Sequence, residues 1–279
     1  MSPPQPPVGA MNRRSREIVT KTVLTPRDPV PVEFHPADGA RIILCCDHAS
    51  NRVPQSLARL GLSDAALARH VGWDIGAAAV TRRLASALGA AAVLAGYSRL
   101  VIDCNRDPDD PSSIPATSDD VVVPGNRALS AEARHARRAA IFTPYHAALT
   151  QSIDAVLARE AVPALISVHS FTPSLGGRAR PWHIGILWDG DGRIASPLLA
   201  ALRGDAALVV GDNEPYSAQQ PAGYTMRHHA LERGVPHVAI EIRQDEIADD
   251  AGAAAWANRL AAALRPILDD GSLYRLWQK

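Results

Sequence analysis

Long apolar runs, disulfide-forming cysteines and an excess of either charge are all scarce in this chain, and each scarcity narrows its class. No stretch approaches the roughly 18 uninterrupted apolar residues that mark a membrane-spanning helix. The first ten residues carry Pro3, Pro4, Pro6 and Pro7 instead of the continuous apolar core of an export signal. A soluble, unexported protein is expected. Cysteines number 3, and Cys45 and Cys46 are adjacent, so on a strand they point to opposite faces. Such a set builds no disulfide framework and fits a reducing cytoplasm. Lysine plus arginine and aspartate plus glutamate each total 29, for a formal net charge of zero. Neither a basic footprint for nucleic acid nor an acidic tail is present, so a charged ligand must be caught by local groups. There is also no internal repeat of the kind that builds a solenoid.

What is present suits a large α/β core. The 279 residues are 47% hydrophobic, enough for one sizeable domain. That domain is expected over 36–279, preceded by a proline-rich and basic tail over 1–35 that includes Arg13, Arg14 and Arg16. Short apolar runs predict strands at 42–46, 91–95, 100–104, 164–168, 183–188, 207–210 and 237–242. Helical patterns alternate with them. Ser63 is placed to cap a helix over 64–70, and a second helix runs from Asp74 through Leu88 to Gly89. A long pattern from Ser130 to Arg159 is interrupted at Pro144. Two more helices fall over 194–202 and 226–232, and an apolar stripe of Trp256, Leu260, Leu264 and Ile267 predicts a final one. The alternation predicts a mostly parallel sheet with helices on both faces. The segment 107–129, with four prolines, reads as a loop, either a lid over a ligand or unstructured.

Two of these strands end in histidine. Cys46-Asp47-His48 and Val168-His169 bring imidazoles to strand ends, where open α/β sheets place their ligands, and neutral imidazoles are good zinc ligands. Glu241, on a third strand-like run, is placed to polarise a water. A structural hydrogen-bonded histidine is the competing reading of this pattern. His228 and His229, adjacent on a helix, point about 100 degrees apart and are expected to pack or cap and not to share a metal.

Five blocks go further. Cys46-Asp47-His48-Ala49-Ser50-Asn51-Arg52-Val53-Pro54, Gly72-Trp73-Asp74-Ile75-Gly76-Ala77, Ser98-Arg99-Leu100-Val101-Ile102-Asp103-Cys104-Asn105-Arg106, Val168-His169-Ser170-Phe171-Thr172-Pro173 and Glu241-Ile242-Arg243-Gln244-Asp245 resemble, in order, the blocks of the N-formylglutamate amidohydrolase family. The resemblance implies a zinc-peptidase-like three-layer α/β/α sandwich with a mostly parallel mixed sheet. It also implies hydrolysis of the amide of a small acidic N-acyl amino acid, N-formyl-L-glutamate first, with one zinc per chain. In the wider clan the metal is held by a His-x-x-Glu pair and a distant histidine. His48 matches the first ligand and His169 the last, but Asn51 stands where the glutamate should be.

The third ligand is therefore open among Asp74, Asn51 and Asp47. Asp74 is preferred, with a helix N-cap as its competing role, and Asp47 is an alternative orienting group for an imidazole. By the same resemblance Asn105 and Arg106 grip the substrate carboxylate, with Arg99 as a second cation. Glu241 is the general base, with Arg243 two residues on along the same strand face. Arg180, with Arg178 beside it, is expected at the oxyanion or a side-chain carboxylate, and Tyr224 and Tyr216 are expected to line the pocket from loops. Two rivals share this site: a deacylase or carboxypeptidase for other N-acyl amino acids or small peptides, and a metal- or ligand-binding module without catalysis.

Overall fold

Buried strands with both faces covered must be apolar throughout, and the apolar runs of this chain form one central sheet. The computed structural model of the protein describes residues 22–218 and 223–278. Seven strands make the sheet: β1 (Val32–His35), β2 (Ile42–Cys46), β3 (Ala91–Ala95), β4 (Ala164–Phe171), β5 (Ile184–Leu187), β6 (Val210–Asp212) and β7 (His237–Arg243). Their spatial order is β1-β3-β2-β4-β7-β5-β6. Pairing is parallel except at β1/β3 and β7/β5. The sheet is thus mixed but mostly parallel.

Alternation along each strand divides the core into two. Leu44, Ile166, Val168 and Ile240 face helices α1 (Ala77–Leu88), α3 (Ala195–Arg203) and α4 (Asp250–Leu268). Ile43, Cys45 and Leu165 face the other way, against α2 (Thr143–Leu157), whose Tyr145, Leu149 and Ile153 are fully buried. The result is the expected three-layer α/β/α sandwich. Among the described residues no helix is long and apolar enough to cross a membrane.

Local chemistry sets several boundaries. Ser63 accepts a hydrogen bond from the Ala66 amide at 3.2 Å and starts the helix Asp64–Ala68. Gly89, in the left-handed region, ends α1. The long pattern after Ser130 does break near Pro144: a helix over Ala131–Arg137 passes through a π-helical turn at Arg138–Phe142 before α2 begins. Proline offers no amide to the preceding turn, and a widened turn absorbs that loss.

Other expectations are corrected. The 100–104 run is buried but forms no strand; it turns sharply, with the Val101 amide donating to Ser98 O at 2.9 Å and Arg106 to Asp103 O at 3.3 Å. Residues 1–21 of the expected tail lie outside the described residues, whereas within 22–35 Val23 is buried and β1 forms a sheet edge. The 107–129 segment is anchored to the body. Asn126 is buried, donating to Leu100 O and Pro115 O at 2.8 Å each and accepting from Arg137 at 2.6 Å.

One glycine fixes how the chain passes over the sheet. A Cβ on Gly185 in β5 would sit 1.9 Å from the carbonyl oxygen of Glu214, so only glycine lets the 214–218 stretch lie against the strand beside the site. Gly185→Ala is expected to lower the unfolding free energy by about 1–3 kcal/mol, read from urea midpoints. An unchanged midpoint would show that the 214–218 stretch yields freely.

Candidate active site

Residues two apart on a strand share a face, and neighbouring strands in register set side chains side by side. Glu241 on β7 pairs in register with His169 on β4, so their side chains meet on the face opposite α1. His48 stands two residues past the end of β2, the next strand along. Strand geometry alone therefore gathers His48, His169 and Glu241 at one end of the sheet. Asp74 arrives from the turn before α1, where its amide donates to His48 O at 3.0 Å.

Both imidazoles address one carboxylate oxygen. Asp74 Oδ2 lies 3.2 Å from His48 Nδ1 and 2.9 Å from His169 Nδ1. The far nitrogens are also engaged: His48 Nε2 meets Asp103 Oδ1 at 2.7 Å, and His169 Nε2 meets Asp47 Oδ2 at 3.0 Å and Ser167 Oγ at 2.9 Å. A neutral imidazole that donates Nε2–H to a carboxylate presents a lone pair at Nδ1. Two such lone pairs and Asp74 Oδ2 then converge with no donor among them. Only a cation in their midst stabilises this arrangement, either protons on the rings or a divalent ion.

The donor set fits a metal. Ligand atoms of His48, Asp74 and His169 all lie within 4.8 Å of one another. The Asp74 separations are close to the roughly 3.3 Å that bonds of about 2.0–2.1 Å give at tetrahedral angles. Two nitrogens and a carboxylate are also a usual zinc donor set, with the far nitrogens oriented by carboxylates.

Without an ion the charges compensate among themselves. Burial opposes ionisation of both rings, and Arg99 also disfavours a charged His48, but Asp103 and Asp74 hold the His48 pKa above its ordinary value. Asp47 and Asp74 do the same, more strongly, for His169. Burial would raise the Asp74 and Asp47 carboxyls, yet the imidazoles bring both below the usual range. Arg99 bridges the acids, donating to Asp74 Oδ1 and Asp103 Oδ2 at 3.2 Å each.

Glu241 behaves in the opposite way. It is 7% exposed and its Oε2 has no hydrogen-bond partner. Burial, together with the charge of Asp74 and against the pull of His169, pushes its pKa up to about 7. No arginine bonds to it among the described residues. A cavity of about 470 Å³ opens over these groups, lined also by Asn105, Arg106, His70 and Tyr216.

The family model for N-formylglutamate amidohydrolase matches residues 40–248. The chain belongs to this family. It is 30% identical over 200 residues to an N-formylglutamate deformylase of Pseudomonas aeruginosa, covering 66% of this chain and 74% of that one. A solved gene product of Agrobacterium tumefaciens superposes with a TM-score of 0.84 at 38% identity, covering 88% of this chain and 98% of that one. An N-formylglutamate amidohydrolase from Ralstonia eutropha shares the fold, with a TM-score of 0.62 at 19% identity over 86% of this chain and 98% of its own.

Of the residues that the family resemblance singled out, His48, Asp74, His169, Glu241, Arg99, Asn105 and Arg106 line this one cavity. Asp74 is not the helix cap: Gly76 holds the N-cap position of α1, and the Asp74 carboxylate is spent on His48, His169 and Arg99. Asn51 lies outside, in a separate surface groove with Trp73 and Asp250. Asp47 faces the far nitrogen of His169 and not the gap between the rings.

Three expected site residues lie elsewhere. Arg243 is held by Asp245 at 2.7 Å and Glu246 at 2.9 Å. Although it shares the strand face of Glu241, nearby carboxylates turn its guanidinium aside. Arg180 packs over the Tyr216 ring, 4.8 Å from its centroid, and donates to its hydroxyl at 3.0 Å. It supports Tyr216, which lines the cavity. Tyr224 lies between the rings of Phe142, His146 and His228. No residue of the 107–129 segment is among those lining the cavity.

Sequence reasoning gave no role to Asp103, His70, Tyr145 or Thr225. Asp103 sits inside a matched block, yet reading that block as a strand hid the turn that aims it at His48. Tyr145 and Thr225 both donate to Asp47 Oδ1, the former at 2.9 Å, and no local pattern announces contacts so distant in sequence.

The stretch 224–231 that roofs the cavity is fastened by a neutral histidine pair. His229 Nε2 and His146 Nδ1 are 2.8 Å apart, and His146 Nε2 donates to Cys104 O at 2.9 Å. The expected packing role of His229 thus has a partner. Burial lowers the pKa of His146 to about 4 and, with His146 adding to the effect, that of His229 to about 3. The unfolded chain binds more protons below its ordinary value of about 6.5, so the pair's contribution is complete above that pH and shrinks as pH falls towards 4. His229→Gln should therefore flatten the acid-side decline of unfolding free energy between pH 6.5 and 4 relative to wild type, measured by urea titration. Parallel curves would refute the assignment.

Proposed function

We propose that the protein is a metal-dependent amidohydrolase that releases formate from N-formyl-L-glutamate. The observation that carries this reading is Glu241: a buried carboxyl with an unpaired oxygen, placed beside the convergent His48, Asp74 and His169. His48 and His169 through Nδ1, with Asp74 through its carboxylate, are the residues that would hold a zinc ion. When bound, such an ion acts as a Lewis acid on the amide carbonyl and lowers the pKa of water at the site.

The chain's own groups supply the rest. Glu241, which changes protonation near neutral pH, accepts a proton from the water that attacks the formyl carbon. It then returns that proton to the amide nitrogen as the carbon–nitrogen bond breaks, giving formate and a free amine. Asp103 and Asp47 keep the two imidazoles oriented and their Nδ1 lone pairs directed inward. Arg106, which pairs with no carboxylate among the described residues, and the side-chain amide of Asn105 both line the cavity and are placed to take a substrate carboxylate. Arg99, tied to two aspartates, balances their charge and orients Asp74, with its exposed edge towards the cavity. We also place the protein in a reducing cytoplasm, a reading supported by three buried free thiols.

The acid–base role separates cleanly from metal binding. Glu241→Gln should retain about one zinc per chain while kcat on N-formyl-L-glutamate falls by about 10²–10⁴-fold. His169→Ala should lose both, and chelation of the wild type should abolish turnover until zinc is returned. Metal content by elemental analysis and formate release on the same samples decide it. Full activity in Glu241→Gln would remove the residue from the mechanism.

A further inference from the structure

The cavity reaches further than the catalytic cluster needs. β7 is a central strand, flanked by β4 and β5, and its residues 240–242 are buried, yet Ala239 is only partly covered because the cavity runs over it. His237, Ala239 and Glu241 share one face of β7. At about 3.3 Å per residue the floor they form extends roughly 13 Å from the catalytic carboxyl. Leu187, opposite Ala239 on β5, makes one side, and Met226 and Leu231 from the roofing stretch complete it.

This arm is mostly apolar, in contrast to the charged end. Its far end is marked by Asp189 and by His237, whose Nδ1 is 2.8 Å from the carbonyl of Val235 and whose pKa burial lowers, so the ring there is neutral. The contacts of Asp103 also give the arm a direction. Asn105 and Arg106 follow Asp103, to which their amides donate and which bonds to His48 beyond β2, whereas the arm starts at Glu241 and follows β7 with β5 alongside. An amide placed at Glu241, with its carboxylate-bearing part towards Arg106, therefore points its acyl part into the arm.

We propose that this arm is an acyl-chain subsite, and that the enzyme accepts N-acyl amino acids whose acyl group is a chain of several carbons. A formyl group has no carbon beyond the carbonyl and leaves the arm to water. Each methylene moved out of water into the arm should strengthen binding by about fourfold. This inference rests on the amidohydrolase reading of the site, since it takes Glu241 as the position of the scissile amide.

The test compares N-formyl-, N-butyryl- and N-hexanoyl-L-glutamate in two ways: hydrolysis by the zinc-loaded wild type, and calorimetric binding to Glu241→Gln, which keeps the ligands intact. The expected result is hydrolysis of all three, with N-hexanoyl bound at least about tenfold more tightly than N-formyl. Ala239→Leu, which fills the arm, should cut the hexanoyl-to-formyl ratio of kcat/KM by at least about tenfold. Leu231→Trp, from the opposite side, should do the same and guards against misfolding of the first variant. Hydrolysis of N-formyl-L-glutamate with no gain in binding from longer chains would overturn the subsite and leave the proposed function standing. Tighter binding of N-hexanoyl that Ala239→Leu removes, without turnover of any of the three, would uphold the subsite and overturn the proposed function.

Discussion

Charge compensation at one end of the sheet is the constraint on which the site depends. Asp47, Asp74 and Asp103 are all buried, and buried carboxylates survive only when paired and hydrogen-bonded. Two imidazoles and Arg99 supply that pairing, each imidazole bridging two carboxylates. Removing any one member leaves another stranded in a low-dielectric interior. The same arrangement that settles the charges also points two ring nitrogens and one carboxylate oxygen at a common position. The geometry that settles the charges is thus also one that could hold a metal ion.

Glu241 is useful because it stands just outside this settlement. Burial, joined by the charge of Asp74, outweighs the pull of His169, His48 and Arg99 on this fourth acid, and its pKa rises towards neutrality. A carboxyl in that state can both take and return a proton near pH 7, as general acid–base chemistry requires. Its position needs no special device, since parallel register with β4 sets it beside His169.

The roof is tied to the floor by a relay from 223–225 into the cluster. Asn105 Oδ1 accepts from the Thr225 amide at 3.1 Å, and the Thr225 hydroxyl donates to Asp47, which holds His169. A Cβ on Gly223 would stand 2.6 Å from Asn105 Oδ1, so the close approach of these two segments requires glycine. Asn105 therefore has a structural duty besides the one proposed for it in substrate binding. The stretch that closes the cavity and the ring that faces Asp74 are parts of one hydrogen-bonded unit.

The sequence by itself determined the layered architecture and the strand ends that carry His48, His169 and Glu241, because alternation and helical period are local properties of the chain. Ser63, Gly89 and Pro144 were legible for the same reason: a cap, a left-handed residue and a missing amide each act within one turn. The tertiary structure alone decided what those side chains meet. Of the two roles open to Asp74 packing chose the partner of both imidazoles over the helix cap, Asn51 fell into another groove, and Arg243 was captured by Asp245 and Glu246. Asp103 reaches His48 across 55 residues and Thr225 reaches Asp47 across 178. Contacts of that range depend on how turns and layers pack, and a single sequence carries no periodic signal for them. A strand pattern fixes which face a side chain occupies; which of several nearby charges it pairs with is settled by burial and by competing partners once the fold has closed.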